Sequence, residues 1–389
     1  MVEKRIFYFD QAATSFPKPD TCIEEVNHFL SSQIGTIRRR GYTSRKTADN
    51  IVEKARSLLL SFINGSSQDR LIFTLNATEA INMALQGYLQ EGDHVITSPY
   101  EHSAVSRTLV ALSKTRKIEY TVVQPNEFGV ITTTEVERYI QPNTKLIAFC
   151  HASNVTGNII VADDIGAFAK TCGIAYFLDA SQSIGSCHID VAKLQPQFMA
   201  FSGHKSLLGP TGVGCLYMKE GTLLPVFRYG GTGYHSSSDW SFPETANDYE
   251  TGTQNVVGIV GLLASLEFIQ EKGLQSIIQH KLDLADYFLA QIQNNTSITV
   301  YGNETTKRLP IVSFNIKNMS PVTEVATLLD NSFHIVTRAG LHCSPWAHRY
   351  IGTYPSGTVR VSFGAFHTKS DINYLLESIQ TIIMMEEIS

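Results

Sequence analysis

A short apolar run, Phe198-Met199-Ala200-Phe201, stops at Ser202, and Gly203-His204-Lys205 follow it directly. The chain then turns through Gly209, Pro210, Gly212 and Gly214 into a second apolar run ending at Met218. One amine held at the end of a buried strand by a glycine- and proline-rich turn is what a Schiff-base lysine requires. A lysine in an ordinary surface turn gives the same local pattern, so its weight depends on what else ends at neighbouring strands. The residue order excludes a P-loop, in which the glycines precede the Lys-Ser/Thr pair. Gly209-x-x-Gly212-x-Gly214 is likewise not the dinucleotide fingerprint.

Other polar groups recur at strand ends. Asn76-Ala77-Thr78-Glu79 follows an apolar run and opens a helix, either as a simple cap or as a phosphate cradle for which Thr78 supplies a hydroxyl. His102, after Glu101, offers a flat ring that can stack on a cofactor. His151-Ala152-Ser153-Asn154 and Asp179-Ala180-Ser181-Gln182 end two further apolar runs. A carboxylate directly after Ile174–Leu178 is costly to bury without a cationic partner. It is a metal ligand, a cap or the partner of a protonated ring nitrogen, and few histidines or carboxylates nearby favour a metal. Asp179 together with Ser202-x-His204-Lys205 points to pyridoxal phosphate. Cys343 lies in Arg338-Ala339-Gly340-Leu341-His342-Cys343, and cationic flanks of that kind favour a thiolate.

The elements that must position these groups follow from periodicity. Apolar runs at Leu71–Leu75, His94–Thr97, Ile118–Val123, Lys145–Cys150, Ile174–Leu178, Phe198–Phe201 and Val213–Met218 read as strands. Helical spacing falls between many of them, at 78–88, 103–113, 134–139 and 163–171. Strands alternating with helices imply right-handed βαβ units and a largely parallel sheet covered on both faces, whose ligands sit beyond the carboxyl strand ends. Helices over 21–30 and 47–63 precede this series, separated by a basic loop with Arg38-Arg39-Arg40. Long helices from Ile259 to Ile269 and from Leu274 to Ile292 then connect to a small α+β unit with strands at 311–316, 334–337 and 359–363 and helices near Val322 and Asp371.

A chain of 389 residues divides by default into two domains. A net charge of -5 gives no broad attraction to nucleic acid or anionic membranes. No signal-peptide core opens the sequence and no apolar run is long enough to span a bilayer. Six cysteines without framework or zinc spacing suggest a reducing cytoplasm. Cys150, Cys172 and Cys215 read as core thiols, while Cys22 fits either face of its helix.

Phe9-Asp10-Gln11-Ala12-Ala13-Thr14, Asn76-Ala77-Thr78-Glu79, Ser202-Gly203-His204-Lys205 and Gly209-Pro210-Thr211-Gly212 together resemble the class V aminotransferase-like family of fold-type I pyridoxal-phosphate enzymes. Within it the likeness is to cysteine desulfurases and selenocysteine lyases of the group II, Suf type, on Arg338-x-Gly340-x-His342-Cys343. The resemblance implies an α/β large domain, residues 16–260, with a mainly parallel seven-stranded sheet. Residues 1–15 and 261–389 would then form a small α+β domain carrying the catalytic cysteine. It further implies that Lys205 joins the cofactor, Asp179 faces its ring nitrogen, His102 stacks on the ring and Gln182 bonds the ring oxygen, with Asn154 nearby. Thr78, Ser202 and His204 hold the phosphate, and Thr253 reaches the phosphate of a partner subunit in a homodimer. Arg360 binds the substrate carboxylate as a bidentate fork, beside Ala13 and Asn154. By the same resemblance Lys205, His102 and Cys343 would be the catalytic groups; no metal is implied.

The implied reaction takes L-cysteine to L-alanine, leaves a persulfide on Cys343 and passes the sulfur to an acceptor protein. L-selenocysteine is an alternative substrate, class V transamination an alternative reaction, and a pyridoxal-phosphate scaffold without turnover the non-enzymatic alternative. Two departures stand near the thiol: Leu341 takes the place of a histidine common before the His-Cys pair, and the Ser344–Tyr354 segment is distinctive. Both bear on the choice of acceptor.

Overall fold

The computed structural model describes residues 5–32, 43–232, 243, 245–302 and 307–388. The arginine run 38–40 lies outside the described residues. Among the described residues there are thirteen strands: β1 (Phe7–Tyr8), β2 (Arg70–Thr74), β3 (His94–Thr97), β4 (Glu119–Val122), β5 (Thr144–Cys150), β6 (Ala175–Asp179), β7 (Phe198–Ser202), β8 (Gly214–Met218), β9 (Ile298–Tyr301), β10 (Ile311–Ile316), β11 (Ile335–Val336), β12 (Arg338–Gly340) and β13 (Thr358–Ser362). Seven of them form one sheet in the order β2-β8-β7-β6-β5-β3-β4. Only β8 runs against its neighbours in this sheet, so the expected mainly parallel seven-stranded architecture is present.

The near-continuous apolar runs in β5, β6 and β7 reflect burial on both faces. Ile147, Phe149, Tyr176, Leu178, Met199 and Phe201 point into one core, with apolar residues of the helices Thr43–Phe62 and Val256–Lys272. Their chain neighbours Leu146, Ala148, Ala175, Phe177, Phe198 and Ala200 point the other way, against the helices Ala77–Tyr88 and Ser103–Arg116. Phe149, Phe177, Phe198 and Phe201 are fully buried, each contributing about 1.5–3 kcal/mol of transfer free energy. That rigidity fixes the strand ends carrying the polar groups.

A second core belongs to the antiparallel sheet β12-β13-β10-β9, covered by the helices Leu274–Ile292 and Lys369–Ile388. Chain start and chain end meet there: β1 pairs in parallel with β11, and the Ser362 N–H bonds to the Phe9 carbonyl at 2.8 Å. The Ala12 N–H bonds to Ser362 Oγ at 2.8 Å, which lays the Gln11–Thr14 loop against the end of β13.

Several local expectations need correction. Cys172 is exposed, because it follows the last turn of helix Ile165–Thr171 rather than lying inside it. The segment near Val322 opens as a π-helix, Pro321–Ala326, before the α-helix Thr327–Phe333. Strands β9 and β12 and the short helix Pro345–Tyr350 have no counterpart in the sequence reading. Cys22 is buried against the rest of the fold, as are Cys150 and Cys215. Among the described residues, no helix is long and apolar enough to cross a membrane.

Candidate active site

The carboxyl ends of β5, β6 and β7 open into one cavity, closed from the small sheet's side by Arg338, His342 and Arg360. Lys205, Asp179, Gln182, His102, Thr78, Ser202, His204, Asn154 and Ala13 all line it. Residues spread over nearly the whole chain converge because most follow a strand or open a helix of the large sheet, while Ala13, Arg338, His342 and Arg360 come from the N-terminal loop and the small sheet.

Lys205 follows β7, on a turn whose first closure is the Leu208 N–H to the Lys205 carbonyl at 2.9 Å. Burial pushes its amine down to about 8, against the opposing charge of Asp179. Near neutral pH this leaves a usable fraction of free amine, which is the form that attacks a carbonyl. Asp179, 5% exposed, accepts at Oδ1 from both the N–H and the hydroxyl of Ser181. Ser181 was not singled out in the sequence; its signal was its place two residues beyond a buried carboxylate.

At the opposite wall, helix Ala77–Tyr88 begins. Its cap is Asn76, whose Oδ1 accepts from the Glu79 N–H at 3.0 Å, so Thr78 sits within the first turn and does not cap it. Ser202 Oγ accepts from the Ala77 N–H at 3.0 Å, bracing the helix start against the end of β7. Burial, with Lys205 and Lys18 nearby, pushes the His204 imidazole down to about 4, and its buried Nδ1 has no partner. A helix start, two hydroxyls and an unsatisfied ring nitrogen make a neutral-to-positive corner that suits a phosphate.

The substrate side is built around Arg360, 1% exposed on β13. Its Nη2 bonds Asp10 Oδ1 at 2.7 Å, its Nη1 bonds the Asn154 carbonyl at 2.9 Å, and its Nε is buried without a partner. Asn154 is more engaged than its expected role implies. Its Nδ2 donates to the His342 carbonyl at 2.7 Å and its Oδ1 accepts from the Ser344 hydroxyl at 2.7 Å. It therefore grips both neighbours of Cys343. Gln182 Nε2 donates to the Ala12 carbonyl at 3.0 Å, drawing the Ala12–Ala13 loop over the cavity.

Cys343 stands at the edge of this space, in an adjoining groove that it shares with His102 and Thr78. Residues 342 and 343 both have left-handed backbone, with φ of 47° and 59°, a conformation that side-chain-bearing residues rarely adopt. The Ser103 N–H holds the Cys343 carbonyl at 2.7 Å, joining the thiol's loop to the start of helix Ser103–Arg116. His102 caps that helix, its Nδ1 accepting from the Ala104 N–H at 3.1 Å, which leaves the ring proton on Nε2. The thiol is pushed down to about 6: a hydrogen bond from His102 favours the thiolate most, burial opposes it, and Arg338 adds a contact of 3.0 Å from Nη2 to Sγ. Alkylation of the apo chain at Cys343 is accordingly expected to rise with pH through about 6 and to level off above it. The Arg338→Ala variant should shift that midpoint upward; iodoacetamide rates from pH 5 to 9, with Cys343→Ala as blank, measure both.

Glu101, beside His102, is fully buried and pushed up to about 8 by that burial, so it is neutral near pH 7. Its Oε1 accepts from the Ser98 hydroxyl and from the Cys150 N–H at 2.9 Å, tying the His102 turn to the end of β5. Thr253 is placed elsewhere: it is exposed, in a separate pocket with Arg228, Gly212 and Asn255. The buried Arg56–Glu250 pair, at 2.9 Å, anchors the start of its segment to helix Thr43–Phe62. Among the described residues, no group of three or more His, Cys, Asp or Glu side chains is placed to hold a metal.

A lysine after one strand of a mainly parallel sheet, facing an aspartate at the end of the next, with a helix start opposite, defines a fold-type I pyridoxal-phosphate enzyme. The aminotransferase class-V family model matches residues 7–375, and the chain belongs to that family. A probable cysteine desulfurase of Methanothermobacter thermautotrophicus is 32% identical over 97% of this chain and 95% of its own length. One from Halalkalibacterium halodurans is 33% identical over 96% of this chain and 92% of its own. Among solved structures, an apo cysteine desulfurase from Thermococcus onnurineus superposes with a TM-score of 0.91 at 28% identity, covering 97% of this chain and 95% of that one. An Escherichia coli cysteine desulfurase gives 0.87 at 27% identity, covering 97% and 94%.

Proposed function

We propose that this chain is a pyridoxal-phosphate-dependent cysteine desulfurase that leaves the sulfur of L-cysteine as a persulfide on Cys343. The observation that carries this reading is a thiol pushed down to about 6 by His102 and Arg338, at the mouth of the Lys205 cavity. Transamination has no use for such a thiol.

The residues present fit the cofactor. Lys205 would hold its aldehyde carbon, Asp179 its ring nitrogen, His102 its ring face and Gln182 its ring oxygen, while Thr78, Ser202 and His204 would take the phosphate. Bound there, it supplies an electron sink for the substrate's α-carbon. Arg360 receives the substrate carboxylate with donors that Asp10 and Asn154 now share. The Lys205 amine would take the α-proton and return a proton to the substrate later in the cycle. The Cys343 thiolate attacks the substrate sulfur, the carbon–sulfur bond breaks, and its electron pair leaves with the β-carbon. The β-carbon takes a proton, the α-carbon regains one, and the product leaves as alanine while the sulfur stays on Cys343. An external thiol or an acceptor protein must then remove it. The test is to incubate holoprotein with L-cysteine and a reductant: equal amounts of alanine and sulfide support the reading. Pyruvate-dependent alanine formation without sulfide would replace it with transamination. L-selenocysteine in a parallel arm measures the substrate preference.

The same reading includes a homodimer with composite sites. Thr253 is exposed outside its own chain's cavity, and Ile23 and Leu30 on helix Asp20–Ser32 are 50% and 64% exposed, as an interface requires. Sedimentation of the holoprotein at submicromolar concentration should give twice the chain mass, and Thr253→Ala should weaken cofactor retention without moving the attachment from Lys205. A monomer retaining cofactor and full rate would contradict it. The same reading keeps the division into residues 16–260 against 1–15 and 261–389, which separate apolar cores on the large and the small sheet support. Helix Val256–Lys272 straddles residue 260 and packs on the large sheet.

A further inference from the structure

Lys281 is 3% exposed on helix Leu274–Ile292, set among the apolar positions Ile277, Ile278, Leu284 and Ala285. A lysine buried in such a stripe costs desolvation that leucine or methionine would not, so packing does not explain it. Burial pushes its amine down to about 7, with Cys187 acting weakly the other way. Its Nζ donates to the Gly185 carbonyl at 2.7 Å and to Ser186 Oγ at 3.2 Å. Ser186 Oγ in turn lies 2.6 Å from Ser206 Oγ, the residue after Lys205. Because Ser186 accepts from Lys281, its own hydroxyl hydrogen is free to bond Ser206. The two turns also touch through their backbones. Gly185 has φ of +73°, and a Cβ there would stand 2.6 Å from the Ser206 carbonyl oxygen. On the other side of the same turn, the Ser265 hydroxyl donates to the Leu208 carbonyl at 3.1 Å.

We propose that Lys281 is a positioning residue for Lys205, acting through the Ser186–Ser206 hydroxyl pair to fix the turn from which the Schiff-base lysine reaches its carbonyl. This rests on the functional reading above and adds to it a group on the helix joining the two cores. Remove the amine, and Gly185 and Ser186 lose their donor, while the Lys205 turn loses the support that reaches it through Ser206 and keeps those at the His204 carbonyl and the Leu208 carbonyl. Lys281 does not line the cavity, so its effect on the cofactor is indirect; the Lys205→Ala background separates the route through the Lys205 turn from one through the neighbouring Gln182 turn.

The test is the rate at which pyridoxal phosphate leaves the purified holoprotein, followed by absorbance after rapid gel filtration. Lys281→Met and Ser186→Ala should each speed release by about fivefold, the scale of one net hydrogen bond. Their combination should add little to either alone, because both cut one chain. In a Lys205→Ala background, which binds the cofactor without a covalent bond, Lys281→Met should leave the release rate unchanged. Equal acceleration in that background, additive single effects, or no effect in the wild-type background would each overturn the proposal. If Lys281→Met does not fold, Ser186→Ala and Ser206→Ala carry the same comparison. A wild-type chain that takes up no pyridoxal phosphate at Lys205 overturns the functional reading itself, which separates the two failures.

Discussion

Cys343→Ala is expected to keep its cofactor on Lys205 and to lose sulfide release from L-cysteine by at least about a thousandfold, the scale on which loss of an essential catalytic group acts. The thiol lies in the groove beside the cavity and makes none of the contacts that fit the cofactor. Its partners are His102 and Arg338, and both survive the substitution. Alanine keeps a Cβ, so the left-handed backbone at residue 343, with φ of 59°, is no more strained than before. The variant therefore removes a nucleophile and little else. Sulfide release in the presence of reductant, set against borohydride-fixed label at Lys205, gives both halves of the result. Loss of the label along with the activity would assign Cys343 a structural role instead.

Lys205→Ala is expected to lose sulfide release on the same scale by another route. Here the covalent attachment and the base both disappear. The pocket keeps Asp179 with its Ser181 donors and the helix start at Ala77, so noncovalent cofactor binding persists. Hydrogen exchange separates the two variants. In deuterated water Cys343→Ala should still exchange the α-hydrogen of L-cysteine or L-alanine, since proton removal precedes the attack on sulfur. Lys205→Ala should exchange it at least about a hundredfold more slowly, the contribution of a positioned general base. Exchange at the wild-type rate in Lys205→Ala would move the base to another residue.

Both substitutions fall on residues that the sequence exposes, and for one physical reason. In a parallel sheet covered on both faces the strands are apolar nearly throughout, so the polar residues just after each run mark a strand end, where ligands bind. Asp179 directly after Ile174–Leu178, Lys205 in the turn after Phe198–Phe201 and His102 in the loop after His94–Thr97 stand out by that contrast. Cys343 stood out instead by its cationic neighbours, and the structure brings Arg338 to its sulfur. What the sequence hides is partnership across long separations. Nothing local to Asn154 shows that it grips the chain on both sides of Cys343, almost two hundred residues on. Strand β12 has three residues and takes its conformation from pairing with β13, not from its own propensity. Lys281 left a legible sign, a cation where helical spacing calls for an apolar residue, but its purpose depends on a turn about a hundred residues earlier. Cys172 misled because a cysteine near a helix end gives no indication of which side of the last turn it falls on.

The most direct measurement of the central claim is the mass of the peptide carrying Cys343 after the holoprotein has met L-cysteine once, without reductant. Trypsin frees it as Ala339–Arg349. The account predicts that this peptide gains one sulfur atom, that the gain is reversed by reductant with release of sulfide, and that one alanine forms for each sulfur gained. Alanine formed with the sulfur on another cysteine, or with Cys343 unmodified, would contradict it.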